Sequence, residues 1–175
     1  MKRKLFAGIV CFALLLSGCG AAETVWETVD DTLPVQAAAP ADAYTMSFDV
    51  PVDAVASAFS DGGAQRVYAQ KDGDYEISAE TISAEGIDAV VRRLSGFSAE
   101  QLQIVQTRRF GMPEYQFAWY ASGDEGGRLY RADVLMDGSY GYALVFSIRE
   151  GLGVSYEKTA EQVFSSFNLF YDEKI

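Results

Sequence analysis

The run Tyr140–Arg149 (YGYALVFSIR) constrains the fold more than any other part of the chain. At a strand's period of two, Tyr140, Tyr142, Leu144, Phe146 and Ile148 share one face, and Gly141, Ala143, Val145 and Ser147 share the other. Before the closing arginine neither face carries a charge, so both need cover. The bulky face needs a thick layer of side chains, and the small face needs an element that comes close to the backbone. A sheet packed on both sides follows, and the remaining chain must supply its other strands and its covers.

The strands are legible from alternation and turn residues. Tyr44–Val50 alternates loosely and ends at Pro51, and Gln65–Gln70 and Tyr75–Ile82 flank Lys71-Asp72-Gly73-Asp74, an Asp-Gly hairpin signal. Gln103–Phe110, Tyr115–Ala121 and Leu129–Met136 precede the last strand. Their connections are Gly111-Met112-Pro113, Ser122–Gly127 and Asp137-Gly138-Ser139, short enough to make neighbours antiparallel. Val52–Ser60 reads either as a helical turn or as a loop over the core.

Two segments change to a helical period. Ile87, Val90, Val91 and Leu94 form one apolar stripe, with Ser83 as the expected N-cap, Gly96 at the far end, and Arg92 and Arg93 where cations suit the helix dipole. Phe97–Leu102 carries a capping-box pair, Ser98 and Gln101, which predicts a short helical turn. After Gly151-Leu152-Gly153, Tyr156, Ala160, Val163, Phe164 and Phe167 make the apolar face of a closing helix, with Ser155 as its expected cap. The fold class expected is α+β: an antiparallel β-sheet flanked by helices, an α-β-α sandwich.

The start of the chain is an address. Lys2, Arg3 and Lys4 precede an uncharged run, Leu5–Leu16, too short for a spanning helix of about 20 residues. Leu16-Ser17-Gly18-Cys19 resembles the lipobox of bacterial lipoproteins at all four positions. That resemblance implies diacylglycerol transfer to Cys19, cleavage after residue 18 and acylation of the new amino group, hence lipid anchoring on the extracytoplasmic side of the cell membrane. Two or more acyl chains give the firm hold that one does not. Residues 1–18 are then a signal peptide, 19–43 an acidic, Ala/Pro-rich spacer and 44–175 one domain. Within the spacer, Val25 and Trp26 admit a short helix or an interfacial contact instead. Cleavage takes three of the 14 basic residues and none of the 25 acids, moving the charge from −11 to −14. Cys11 leaves with the signal, so no disulfide closes within the domain.

A second resemblance rests on Gly141–Phe146, the helix ending Val163-Phe164-Ser165-Ser166-Phe167, and the opening strand ending at Pro51. With the element order these are similar to the PsbP/DcrB-like α-β-α sandwich superfamily, over about residues 44 to 171. The resemblance implies a fold and no activity. Histidines that ligate metal in some members have no counterpart, because the chain has no histidine.

Composition narrows the chemistry. Without histidine there is no Ser-His-Asp triad, Cys-His pair or histidine metal site. The acidic balance excludes nucleic acid as a partner. A Ser-Lys nucleophile lacks a serine context at Lys71 and Lys158. The expectation is a non-enzymatic accessory or interaction module, with no cofactor and no metal, whose partner is a protein or a cell-wall component. Enzyme activity would call for a cleft with two facing carboxylates.

Four constellations remain as candidates. Asp72, Asp74 and Glu76 have calcium-loop spacing, but Ile77 stands at the glycine position, so a solvated hairpin is expected. Asp124 and Glu125 make an acidic loop tip. Arg131 and Asp133 share a strand face within reach of Arg109, either as a solvated ion pair or, if buried, as a binding site. Tyr115, Phe117 and Trp119 share a face opposite Tyr120; such a stripe is usually core, and the alternative is a glycan- or peptide-binding surface using Trp119 or Tyr120.

Overall fold

The computed structural model describes residues 26–29, 40, 42–59, 64–123 and 126–171. The segment read as a signal, Cys19, most of the segment read as a spacer and the Asp124–Glu125 tip lie outside them. The strands are β1 (Trp26–Val29), β2 (Thr45–Pro51), β3 (Ala54–Phe59), β4 (Ala64–Gln70), β5 (Tyr75–Ser83), β6 (Val105–Arg109), β7 (Met112–Gly123), β8 (Gly126–Met136), β9 (Tyr140–Arg149) and β10 (Asn168–Phe170). The helices are α1 (Ile87–Ser95) and α2 (Gly153–Ser166), with a single 3-10 turn at Ala99–Gln101 that carries the Ser98–Gln101 capping box.

One antiparallel sheet runs in the order β3-β4-β5-β9-β8-β7-β6. The chain climbs to the centre at β5, crosses one face through α1 to the far edge at β6, and returns as a meander to pair β9 with β5. This puts the two-faced strand β9 in the middle. Its Tyr142, Leu144, Phe146 and Ile148 pack with Met46, Phe48 and Val50 of β2 and with Ala160 and Val163 of α2. Its Ala143 and Val145 pack on the other side with Val90 and Val91 of α1. Full burial of side chains this size stabilises by about 1.5–3 kcal/mol each, so β9 anchors both layers. Gly141 shows why the small face is small: a Cβ there would sit 2.7 Å from Val90 Cγ2 and 3.0 Å from Met136 Sδ.

The sandwich is α+β and mostly strand. The layer over the bulky face is α2 together with a second sheet, β1-β2-β10. Trp26–Val29, within the segment read as spacer, is therefore paired strand, in register with Phe48–Pro51. Three residues after α2 also form strand, on the other side of β2. Neither has alternation of its own; β2, buried on the core side, offers both edges.

Other local expectations are corrected. Ala54–Phe59 is neither helical turn nor loop but an edge strand, held by β4 and interrupted by a register shift between Ala56 and Ala58. Ser83 is not a cap, because the β5–β9 ladder runs on to pair it with Tyr140; α1 starts from an extended Gly86 without a side-chain cap. Gly96, at φ 78, closes α1 as expected. Ser155 lies inside the first turn of α2, which starts from Leu152. The β6–β7 turn is Phe110-Gly111, both at positive φ, so Met112 and Pro113 already belong to β7.

Candidate functional site

Side chains at alternate positions of β6, β7 and β8 face the α2 side of the sheet. Beyond α2, however, Val105, Gln116, Ala118, Tyr120 and Leu129 of that face are exposed. A groove of about 400 Å³ opens between this uncovered sheet and α2, with Val105, Gln116, Ala118, Arg131 and Asp133 on the sheet side and Glu161 and Phe164 on the helix side.

Asp133, which lines it, belongs to a charge cluster. Arg109 Nη2 is 2.7 Å from Glu114 Oε1 and 3.0 Å from Asp133 Oδ2. Its Nη1 donates to the carbonyls of Phe164 (3.3 Å) and Phe167 (3.2 Å), where α2 ends. The guanidinium thus compensates the negative end of the helix and ties it to the meander. Thr107 donates to Glu114 across the β6–β7 pair. Glu114 and Asp133 are both buried. Burial pushes the Asp133 carboxyl up to about 7; Glu114 adds repulsion, while Arg109 and the nearby Gln116 amide pull it back. Glu114 Oε1 meets Arg109 as an ion pair without an aligned hydrogen bond, and Asp133 Oδ1 has no aligned hydrogen bond among the described residues. A proton on Asp133 lets it donate to Glu114, which favours the neutral acid.

The sequence placed Arg109, Arg131 and Asp133 within reach of one another, and the structure brings them to one place with the roles redistributed. Asp133 pairs with Arg109 rather than with Arg131. Arg131 lies with its guanidinium 5.6 Å over the Phe164 ring. Glu114, Thr107, Phe164 and Glu161 were not legible as site residues. Glu114 and Thr107 meet through the β6–β7 register, and the two α2 residues reach the groove through helix docking.

The remaining candidates fall elsewhere. Trp119 is buried, stacked on Tyr130 at 5.0 Å and on Phe117 at 5.6 Å under the α1 layer, so its ring faces are taken by neighbours. Tyr120 faces the other side, half-exposed, and donates to Glu150 at 2.9 Å. Asp74 pairs with Arg149 and accepts from Tyr156, whereas Glu76 pairs with Arg128; the carboxylates are divided between different partners. Among the described residues no group of three or more acids and cysteines is placed to hold a metal ion. A smaller hollow, about 270 Å³, lies on the α1 side, where Arg93 grips Glu80 Oε1 through Nε (3.1 Å) and Nη2 (2.8 Å).

Together these features define a class: a strand-rich antiparallel α+β sandwich with a surface groove over a buried charge cluster. No protein-family model matches the chain, and no curated protein matches it by sequence. Solved structures share its fold. Cyanobacterial PsbP (CyanoP) from Synechocystis sp. PCC 6803 is similar with a TM-score of 0.58 at 16% identity, over 89% of this chain and 99% of that one. The Ran-binding protein Mog1p of Saccharomyces cerevisiae follows with 0.52 at 8%, over 83% and 96%. LpqN, involved in cell envelope biogenesis of Mycobacterium tuberculosis, gives 0.51 at 12%, over 83% and 92%. At these identities the likeness establishes a PsbP-like fold and nothing about activity.

Proposed function

We propose that this chain is a lipid-anchored, extracytoplasmic accessory module that binds a partner or ligand and does not transform it. The observation that carries the reading is the groove between α2 and β6–β8, a concavity of ligand size with mixed lining on an otherwise packed sandwich. Asp133 lines the groove with buried Glu114 beside it, two carboxylates such as an acid-base hydrolase would require. They sit on one sheet face, however, both within 3.0 Å of the same Arg109 nitrogen, and that nitrogen's guanidinium also caps α2. Such a clasp serves architecture rather than attack on a substrate held between two acids. The fold neighbours support the reading by analogy: one is named a Ran-binding protein and another is tied to envelope biogenesis.

The anchor follows from Leu16-Ser17-Gly18-Cys19, and the acidic spacer after it is repelled by anionic headgroups. Cys19→Ser should move the protein out of the membrane fraction; partition unchanged from wild type would place the anchor elsewhere. Affinity capture of the full chain from detergent-solubilised membranes should recover a partner. Turnover of a cell-wall substrate by the purified chain, lost on Asp133→Asn or Glu114→Gln, would overturn the non-enzymatic reading.

A further inference from the structure

Arg131 is anomalous in this acidic molecule. Among the described residues every other arginine donates a hydrogen bond or pairs with a carboxylate: Arg92 with Asp88, Arg93 with Glu80, Arg109 with Glu114 and Asp133, Arg128 with Glu76, Arg149 with Asp74, Arg108 to the Gly111 carbonyl and Arg66 to the Met46 carbonyl. Arg131 has neither. The nearest acid on its own strand face, Asp133, is taken by Arg109. What Arg131 meets is the Phe164 ring, a contact that uses none of its five N–H donors. Arg131 lines the groove. On α2, Glu161 lines the same groove without an ion pair to Arg131 or to any other described residue. The Gln116 amide adds a neutral donor and acceptor, and Val105 and Ala118 supply apolar contact.

We infer that the groove is a receptor for a zwitterionic α-amino carboxylate, with the carboxylate on the Arg131 fork and the ammonium toward Glu161. The inference rests on the groove being the binding site proposed above. A planar guanidinium with spare parallel donors matches a carboxylate in two-point contact. An unpaired cation and an unpaired anion lining one groove select a ligand that carries both charges. About 400 Å³ is at the small end of ligand pockets, which suits a free amino acid or a very short peptide. A sugar would want the open face of an aromatic ring, and the ring here, Phe164, already carries Arg131.

The test uses the full chain in detergent, titrated by ligand-observed NMR with the twenty free amino acids, with their Nα-acetyl and carboxamide derivatives, and with dialanine and trialanine. At least one free amino acid should bind. Blocking either its amino or its carboxyl group should weaken binding by at least about tenfold. Arg131→Gln should do the same, and so should Glu161→Gln, a change on the exposed side of a helix that leaves the core untouched. Equal binding by the peptides would assign the site to peptides with free ends; binding of the single amino acids alone would assign it to those. No binding by any zwitterion at millimolar concentration, or binding indifferent to Arg131→Gln in a variant whose circular dichroism matches wild type, would overturn the inference. Absence of zwitterion binding together with capture of a partner protein from membranes would remove this inference alone and leave the accessory reading standing.

Discussion

Asp133→Asn probes the buried cluster through its proton. In the fold the Asp133 carboxyl titrates at about 7, against an ordinary value of 3.8. Between those values the folded chain binds more protons than the unfolded one. Asp133 therefore contributes most to stability below about pH 4, and that contribution is lost as pH rises through 7. A gap of about three pH units at about 1.4 kcal/mol each gives about 4 kcal/mol, of which about 3 kcal/mol falls between pH 5 and pH 8. With Asp133 1% exposed, solvent screening removes little of it. Asparagine keeps the shape and the donor that the protonated acid offers to Glu114, and it cannot ionise. Urea unfolding followed by tryptophan fluorescence, on the chain from residue 19 with Cys19→Ser, measures both proteins at the two pH values. The variant should gain about 3 kcal/mol on wild type in going from pH 5 to pH 8. Stability curves that stay parallel, within about 0.5 kcal/mol, would mean that Asp133 is ionised throughout and that the cluster holds no proton.

Two further changes test the architecture. Arg109→Gln removes the counter-charge of two buried carboxylates and the ties to the Phe164 and Phe167 carbonyls; it should cost about 3–5 kcal/mol in urea unfolding, and less at pH 5 than at pH 8, because a protonated Asp133 loses less. Gly141→Ala drives a methyl into Val90 and should cost about 1–3 kcal/mol, and adding Val90→Ala should cost less in that background than in wild type, as a double-mutant cycle would show.

The elements that carry their own periodicity were legible. Strand β9 announced a sheet covered on both faces, and the close approach of α1 to Gly141 is the packing its small residues imply. Helix α1, with its Val90–Val91 stripe and its glycine stop, needed no partner to be recognised. β1, β3 and β10 were missed or misread because they are short and weakly patterned; they are strands because a neighbouring strand offers an edge to them, and that depends on residues distant in sequence. The same holds at the cap positions. Ser83 is a good cap in isolation, and ladder bonds to β9 outcompeted it.

For the site, sequence could say that Arg131 and Asp133 share a strand face and that Arg109 is near in the meander, because alternation and short turns fix both. It could not say that Asp133 is buried, that Arg109 rather than Arg131 takes it, or that Phe164 turns Arg131 into an unpaired donor in a groove. The two-faced strand is a property of contiguous residues, whose pattern is complete in one segment. Which charge meets which partner was decided only when α2 docked across the meander, since an ion pair depends on distance and desolvation and a linear chain specifies neither.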